Sequence, residues 1–385
     1  MIYVDYISSV NIVNNVAKFT GGTNYVKNII NLLSKESNEK ICILIPNNTA
    51  MMNDFASMRN ESIGILSVDC LENVDYKKVR VLFLPQVNGT VLRQAYRIKK
   101  KNKMLKIYGT LHDKQHNCFK YDVYNFYYFN SFSKKIKDVT KFYLKKFYFD
   151  INYSKWIGSI DKIFTVSNYS LQKLLNKNIK FISYYIQSDY SSARINNKKA
   201  INGDGNFALM VGAGRTEKNA LRTIEAFCKY HIDNPDARLR LVLTGMSNDL
   251  MDLFIASGKI PRHIVEKYVI NKGYVSYEEL DELYHSSCFV VFTSKAEGFG
   301  LPVLEAVNRN KVVLASYKTS IPEVAGACMY YINPYSVESI KQGFMYLENK
   351  ENRVRLEKYI NEKKDILSKQ IQIDEKLLIE EILSN

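Results

Sequence analysis

Short runs of β-branched, aliphatic and aromatic residues alternate with helix-length segments along the whole chain, and this alternation narrows the possible folds more than any other feature. "IYVDYI" from Ile2, "KICILIP" from Lys40, "VRVLFLP" from Val79 and "LKIYGTLHD" from Leu105 read as strands. "KIFTVS" from Lys162 and "FISYYI" from Phe181 continue the series. A polar stretch, "QSDYSSARINNKKAINGDGN" over residues 187–206, then interrupts every hydrophobic period. The alternation restarts with "FALMVG", "LRLVLTG", "YVINKGYV", "FVVFTS", "KVVLAS" and "CMYYIN". Between the strands lie helical patterns such as "NALRTIEAFCKYH", which places Leu221, Ile224, Phe227 and Cys228 on one face. The pattern predicts an α/β chain of two doubly wound, Rossmann-like domains. The expected divisions are an N-terminal domain over 1–190, a linker over 191–206 and a C-terminal domain over 207–360. A charged helix over 361–385 follows and is expected to pack back on the N-terminal domain.

Composition excludes several classes. The 385 residues are enough for two cores, and 46% hydrophobic with 24% charged content is ordinary for a folded chain. No run reaches the roughly 18 apolar residues of a membrane-spanning helix. The start, "MIYVDYISSVNI", lacks the basic-then-apolar layout of a signal peptide. Six scattered cysteines, Cys42, Cys70, Cys118, Cys228, Cys288 and Cys328, form no C-x-x-C pair, which argues against zinc and disulfides and for a reducing cytoplasm. No metal-ligand cluster is visible. A net charge of +15 points to an anionic partner, whether nucleic acid, anionic lipid or phosphorylated substrate.

Open α/β sheets bind ligands beyond the carboxyl ends of their strands, so two such domains facing each other would place a cleft there. The loop "SKAEGFGLPVLEA", Ser294 to Ala306, lies between a strand and a helix with Pro302 in its first turn. Gly298 and Gly300 let the backbone come close to a ligand, and the helix start offers unpaired N–H groups to an anion. Glu297 stands on the loop and Glu305 is expected in the first helical turn. Carboxylates that accept hydroxyls, flanking amides that hold phosphate, suit a nucleotide-sugar. A second loop, "LMVGAGRTEKNALRTIEAF", places Arg215 and Lys218 before a helix, where they could hold a diphosphate, although it is not a P-loop. In the N-terminal half, "KFTGGTNYVKN" puts Gly21 and Gly22 directly before a helix. "YGTLHDKQH" puts His112 and Asp113 just past a strand end, where an imidazole could bond a sugar hydroxyl or assist proton movement.

Taken together these segments resemble the retaining glycosyltransferases of family four, which have the two-Rossmann-domain GT-B fold. "EGFGLPVLEA" matches the family's E-x7-E string in full, and "SIPEVAGACMYYINP" resembles its Pro-Glu-Val-x-Gly segment. "KGYVSYEELDELYHSS", "VGAGRTEKN", "GGTNYV" and "LHD" are similar to its other conserved stretches. The resemblance implies transfer of a hexosyl group from a nucleotide-sugar, with retention and without a metal or other cofactor. It implies that Glu297, His112 and Lys218 act at the reacting centre: Glu297 on the transferred sugar, Lys218 on the diphosphate, His112 near the sugar. It further implies that Glu305 binds the ribose and that Gly22 lies close to the diphosphate. Backbone N–H groups of Phe299, Gly300 and Leu301 would touch sugar or phosphate, and Tyr274 and Val275 would line the base pocket. The family commonly has a basic residue before the lysine; here it is Glu217, with Arg215 two positions further back as the substitute.

The acceptor is less legible. "YNFYYFNSFSKKIKDVTKFYLKKFYF", Tyr124 to Phe149, interleaves aromatics with lysines, and "RQAYRIKKKNKMLK" is strongly basic. Both suit an anionic membrane surface, and so a peripheral enzyme that builds a lipid-linked (polyprenyl) or growing glycan for a cell-surface polysaccharide such as an O-antigen or capsule. A solvated helix packed on the N-terminal core explains the first segment equally well. Nucleic acid is not expected as a partner, since no recognised module accompanies the basic residues. Rival functions are a nucleotide-sugar epimerase or hydrolase of the same fold, and a non-catalytic accessory subunit of a transferase.

Overall fold

The computed structural model describes residues 1–13, 16–18, 21–47, 61–112, 151–175, 182–185 and 205–384, together with Asp122, Tyr124, Thr140, Lys141, Leu144, Phe147 and Tyr148. Two compact units emerge, and they do not follow chain order. The first comprises Met1–Asp113, Phe142–Ser192 and Lys369–Asn385; the second comprises Lys114–Lys141 and Ala193–Ser368. The expected linker lies almost wholly outside the described residues.

The first unit is built on a seven-stranded, all-parallel sheet in the order β5-β4-β1-β6-β7-β8-β9. Its strands are β1 (Ile2–Asp5), β4 (Ile41–Ile45), β5 (Ile63–Ser67), β6 (Val81–Leu84), β7 (Lys106–Leu111), β8 (Lys162–Thr165) and β9 (Ile182–Tyr185). A small antiparallel pair, β2 (Asn11–Val13) with β3 (Val16–Lys18), follows β1. Strand β5 and this pair went unpredicted; β5, "IGILS", is short and its burial is incomplete, so it carries a weak hydrophobic signal. The sheet is covered on both faces, which is why β6 reads as a continuous apolar run with all four residues buried. The helix Gly89–Lys101 starts where Asn88 accepts from Thr90 N and Val91 N at 2.9 and 3.1 Å, and Lys99, Lys100 and Lys101 complement the dipole in its last turn. Near the chain end, Leu378, Ile379 and Ile382 join Ile2, Val4 and Ile41 in one apolar core. Glu381 pairs with Lys162 at 2.5 Å beside them.

The second unit has a six-stranded parallel sheet in the order β12-β11-β10-β13-β14-β15. These strands are β10 (Phe207–Met210), β11 (Arg240–Leu243), β12 (Val269–Asn271), β13 (Phe289–Phe292), β14 (Val313–Ser316) and β15 (Met329–Ile332). Both sheets start in the middle, run outward to one edge and then turn to the other, which is the Rossmann order. The switch point falls between β10 and β13, the place at which open α/β sheets commonly bind a ligand. The helix Ala220–Asp233 buries Leu221, Ile224, Phe227 and Cys228, as its period predicts. Ser276 caps Tyr277–Ser286 by accepting from Glu279 N at 3.2 Å.

Candidate donor-binding site

The carboxyl ends of β10 and β13 carry the two loops singled out by sequence. After β10 the chain turns through Gly212 at φ +71° and forms a short 3-10 turn, Thr216–Lys218. Asn219 at φ +66° then redirects it into the helix Ala220–Asp233. Lys218 therefore sits on the turn that precedes the helix. Its side chain is 3% exposed, and Nζ donates to Glu297 Oε1 at 2.7 Å from the loop after β13. It also lies 4.5 Å above the centre of the Phe292 ring. Burial draws the Lys218 ammonium below its usual pKa; Glu297 opposes that shift and Arg215 adds to it. Arg215 is more exposed and pairs with Glu217 at 3.0 Å, so its charge is available near the loop but is not lodged beside Lys218.

The loop around Glu297 is held from β14's side. Thr319 Oγ1 accepts from Glu297 N at 3.0 Å, and Ser320 Oγ lies 3.0 Å from Glu297 O and 2.9 Å from Phe299 O. Gly300 at φ +112°, ψ +50° takes a conformation few L residues adopt, and it caps the helix Leu301–Asn308. Among the described residues, no group accepts a hydrogen bond from the backbone N–H of Gly298, Phe299, Gly300 or Leu301. Unpaired N–H groups at the start of a helix can hold an anion. Glu305 lies one residue beyond the first helical turn in which it was expected, because the helix begins at Leu301 and its first turn contains no acid. Its Oε2 accepts from Tyr284 Oη at 2.6 Å, and Arg309 Nη1 donates to its backbone carbonyl at 3.0 Å. Burial raises the Tyr284 phenol far above its usual range, and the Glu305 charge adds to that. Tyr274 and Val275 lie in the turn before Tyr277–Ser286; Tyr274 is 87% exposed and Val275 is partly buried.

Gly22 and His112 belong to the first unit. Gly21 and Gly22 are the opening residues of the helix Gly21–Glu36 and do not precede it, since the first turn of a helix leaves its N–H groups unpaired and tolerates glycine. His112 follows β7. Its Nε2 is 2.8 Å from the Pro85 carbonyl, which can only accept, so Nε2 carries the proton. Burial pushes its pKa down to about 4, with the Pro85 bond opposing. His112 is thus neutral near pH 7, with Nδ1 as its remaining acceptor; it can accept from a hydroxyl but is no proton donor there. Tyr25 stacks edge-on to it at 4.7 Å. Asp113 lies outside the described residues.

Sequence reasoning passed over Tyr284, although it stands inside a quoted segment, and the braces from Thr319 and Ser320. It also passed over a buried ionic cluster in the second unit. Asp122 receives Arg222 Nη1 on Oδ2 at 3.0 Å, Arg222 Nη2 on Oδ1 at 2.8 Å and Lys295 Nζ on Oδ2 at 3.1 Å. Among the described residues, no group of three or more His, Cys, Asp or Glu is placed to hold a metal ion, and no helix is long and apolar enough to cross a membrane.

Two parallel Rossmann units, one bearing an E-x7-E loop opposite a buried lysine, define the class: an α/β chain with the GT-B glycosyltransferase fold. More narrowly, residues 191–364, which lie for the most part in the second unit, match the family model "Glycosyl transferases group 1". Among curated relatives, O-antigen chain mannosyltransferase B of Escherichia coli is 27% identical over 53% of this chain and 54% of its own length. O-antigen chain mannosyltransferase RfbU of Salmonella typhimurium is 27% identical over 59% of each. The chain thus spans a little over half the length of these two relatives. Among solved structures, a glycosyltransferase from Rickettsia africae matches over 100% of this chain and 98% of its own, at TM-score 0.66 and 14% identity. The Anabaena protein Alr3699/HepE, in complex with UDP and glucose, matches over 100% and 99% at TM-score 0.63 and 11% identity.

Proposed function

We propose that the protein is a retaining glycosyltransferase that moves a hexosyl group from a nucleotide-sugar to a lipid-linked or growing glycan of a cell-surface polysaccharide. One observation carries the reading: the Lys218–Glu297 pair at 2.7 Å next to four backbone N–H groups that have no acceptor among the described residues. Cation and amides meet a diphosphate, and carboxylates meet hydroxyls. The O-antigen mannosyltransferases among its relatives support a polysaccharide product, with mannose as the first sugar to test. In the proposed reaction the bond from the anomeric carbon to the diphosphate breaks and a bond to the acceptor oxygen forms on the same face. The acceptor's proton passes to the departing phosphate. Lys218, Arg215 and the helix start offset the charge that grows on the leaving group, so added metal is not required. Glu305, held by Tyr284, takes the ribose hydroxyls, and we assign Gly22 to the diphosphate and His112 to the sugar.

We place the enzyme at the cytoplasmic face of an anionic membrane. Of the basic aromatic segment only Tyr124, Thr140, Lys141, Leu144, Phe147 and Tyr148 are described. Leu144, Phe147, Tyr148 and Ile151 are 64%, 66%, 55% and 63% exposed, at sequence spacings of three, one and three. Lys155 follows one turn later, beside Tyr96 and Lys100. An apolar strip flanked by ammonium groups suits anionic headgroups over acyl chains. The test is release of nucleotide from UDP-, GDP- and ADP-sugars, with and without membrane lipid extract and with and without EDTA. Lipid-stimulated release from one donor, unaffected by EDTA and absent in Glu305→Ala, is expected. Release without any acceptor would instead indicate a hydrolase or epimerase, and neither release nor nucleotide binding would indicate an accessory subunit. Cosedimentation with anionic but not neutral vesicles checks the membrane surface.

A further inference from the structure

The ionic cluster around Asp122 has no part in the reaction as described above, yet it joins the two loops that matter most. Arg222 stands one helical turn after Lys218 and grips both oxygens of the Asp122 carboxylate. The same guanidinium donates to Asn219 Oδ1 at 2.9 Å, and Asn219 Nδ2 reaches Thr293 O at 3.2 Å and Pro334 O at 2.7 Å. Lys295 stands two residues before Glu297. Its Nζ reaches Asp122, and its backbone N–H donates to Glu217 O at 2.8 Å. The Asp122 carboxylate is thus shared by one cation from the Lys218 side and one from the Glu297 side. All three side chains are at most 8% exposed. Burial alone would raise the Asp122 carboxyl, but Arg222 and Lys295 hold it below its usual pKa. Tyr124 fixes the same stretch of chain: its hydroxyl donates to Glu225 at 2.5 Å and its ring faces the Arg222 guanidinium at 4.3 Å.

We propose that Asp122 is a positioning residue: by neutralising Arg222 and Lys295 at once it sets the separation of Lys218 and Glu297. The consequence for catalysis rests on the donor-site reading above. Without the carboxylate, two buried cations face each other, Arg222 on the helix that follows the Lys218 turn and Lys295 on the Glu297 loop, and these two segments move apart. Lys218 then loses its contact with Glu297 although neither residue has changed. The segment that supplies Asp122 lies outside both quoted loops, and the chain on either side of 114–141 belongs to the first unit.

The test reads Lys218 directly in the ligand-free protein, by competitive acetylation and mass spectrometry. In Asp122→Asn the rate of Lys218 modification is expected to rise about ten-fold, the size of a modest local opening. Lys341, also in the second unit and paired with Asp233, should stay within about two-fold and so excludes general loosening. Asp122→Glu should fall between, and Tyr124→Phe, which removes the Glu225 bond but keeps the ring, should leave Lys218 unchanged. In parallel, calorimetry with UDP, GDP and ADP should show about ten-fold weaker binding of the preferred nucleotide in Asp122→Asn. An unchanged Lys218 rate in folded Asp122→Asn overturns the proposal, as does an equal rise at Lys341. If the wild type binds none of the three nucleotides, the donor-site reading fails, and the acetylation rates still decide the role of Asp122. Should Asp122→Asn not fold, Lys295→Met, which leaves the bidentate Arg222 pair whole, is judged by the same criterion.

Discussion

Replacing Glu297 by glutamine changes one charge and almost no shape, and the structure assigns it opposite effects on stability and on nucleotide binding. At 2.7 Å, with side chains 3% and 12% exposed, Lys218 and Glu297 form a buried pair. A unit pair at that distance is worth roughly 6 kcal/mol at an effective dielectric of about 20, before desolvation is subtracted. Removing one partner of such a pair costs about 3–5 kcal/mol because the other charge stays buried. Glutamine keeps a neutral hydrogen bond, so the lower end, about 3 kcal/mol, is expected. In a unit of about 200 residues this lowers the melting temperature by roughly 6–12 °C. The ammonium left behind then has no carboxylate competing with a diphosphate. UDP or GDP, whichever binds the wild type, should therefore raise the melting temperature of Glu297→Gln more than that of the wild type, while transfer is lost. Differential scanning fluorimetry with a nucleotide titration measures both. A ligand-free melt within about 1 °C of wild type, or a smaller nucleotide shift in the variant, would refute the argument that Glu297 is the counter-charge Lys218 exchanges for phosphate.

Three further outcomes are specific. Tyr284→Phe removes the 2.6 Å bond to Glu305 while the ring stays packed near Arg309; at about 1.5–3 kcal/mol for a bond to a charged group, nucleotide affinity should fall at least about ten-fold by calorimetry. Gly300→Ala finds only ordinary contacts for its new Cβ, 3.6 Å from Phe292, so any loss of about 1–3 kcal/mol in denaturant melts must come from holding φ at +112°. Asp5 ends β1 fully buried, with Oδ2 lacking a hydrogen-bond partner among the described residues, and burial pushes its pKa from 3.8 up to about 6. The folded chain then keeps a proton the unfolded chain has already lost, so this group's contribution is present below pH 3.8 and is lost as pH rises to about 6. The whole step is about 3 kcal/mol. Subtracting Asp5→Asn from wild type in urea melts between pH 3.5 and 7 isolates it from His112, whose depressed pKa gives the opposite slope, and a flat difference would contradict the assignment.

What could be read beforehand was whatever is local in sequence. Strands such as "VLFL" and "FVVF" are buried on both faces and announce themselves as apolar runs, and the helix Ala220–Asp233 shows its inward face by period alone. Lys218 and Glu297 were legible for the same reason: each sits in a short loop between a readable strand and a readable helix. That they touch follows from β10 and β13 being neighbours in the sheet, which is a fact of topology and not of spacing. Position within a turn was harder. Glu305 was expected in the first turn and lies one residue past it, because Pro302 fits the first helical turn at either of two positions, and only the φ of Gly300 fixes which.

Asp122 shows where such reading ends. It stands 100 residues from Arg222 and 173 from Lys295, in a stretch with no apolar period and no glycine-rich turn. An isolated aspartate there is expected at the surface, since a carboxylate is buried only where cations already wait for it. Those cations, Arg222 and Lys295, in turn look like solvated charges until Asp122 arrives. Each of the three is explained only by the other two, so no window of sequence contains the reason for any of them. A buried ion cluster of this kind adds little net stability over well-packed apolar side chains. Its value lies in geometry: a bidentate guanidinium and a second cation on one carboxylate tolerate little displacement. That is what a site needs whose lysine and glutamate come from loops after different strands of one sheet and must stay within a single hydrogen bond of each other.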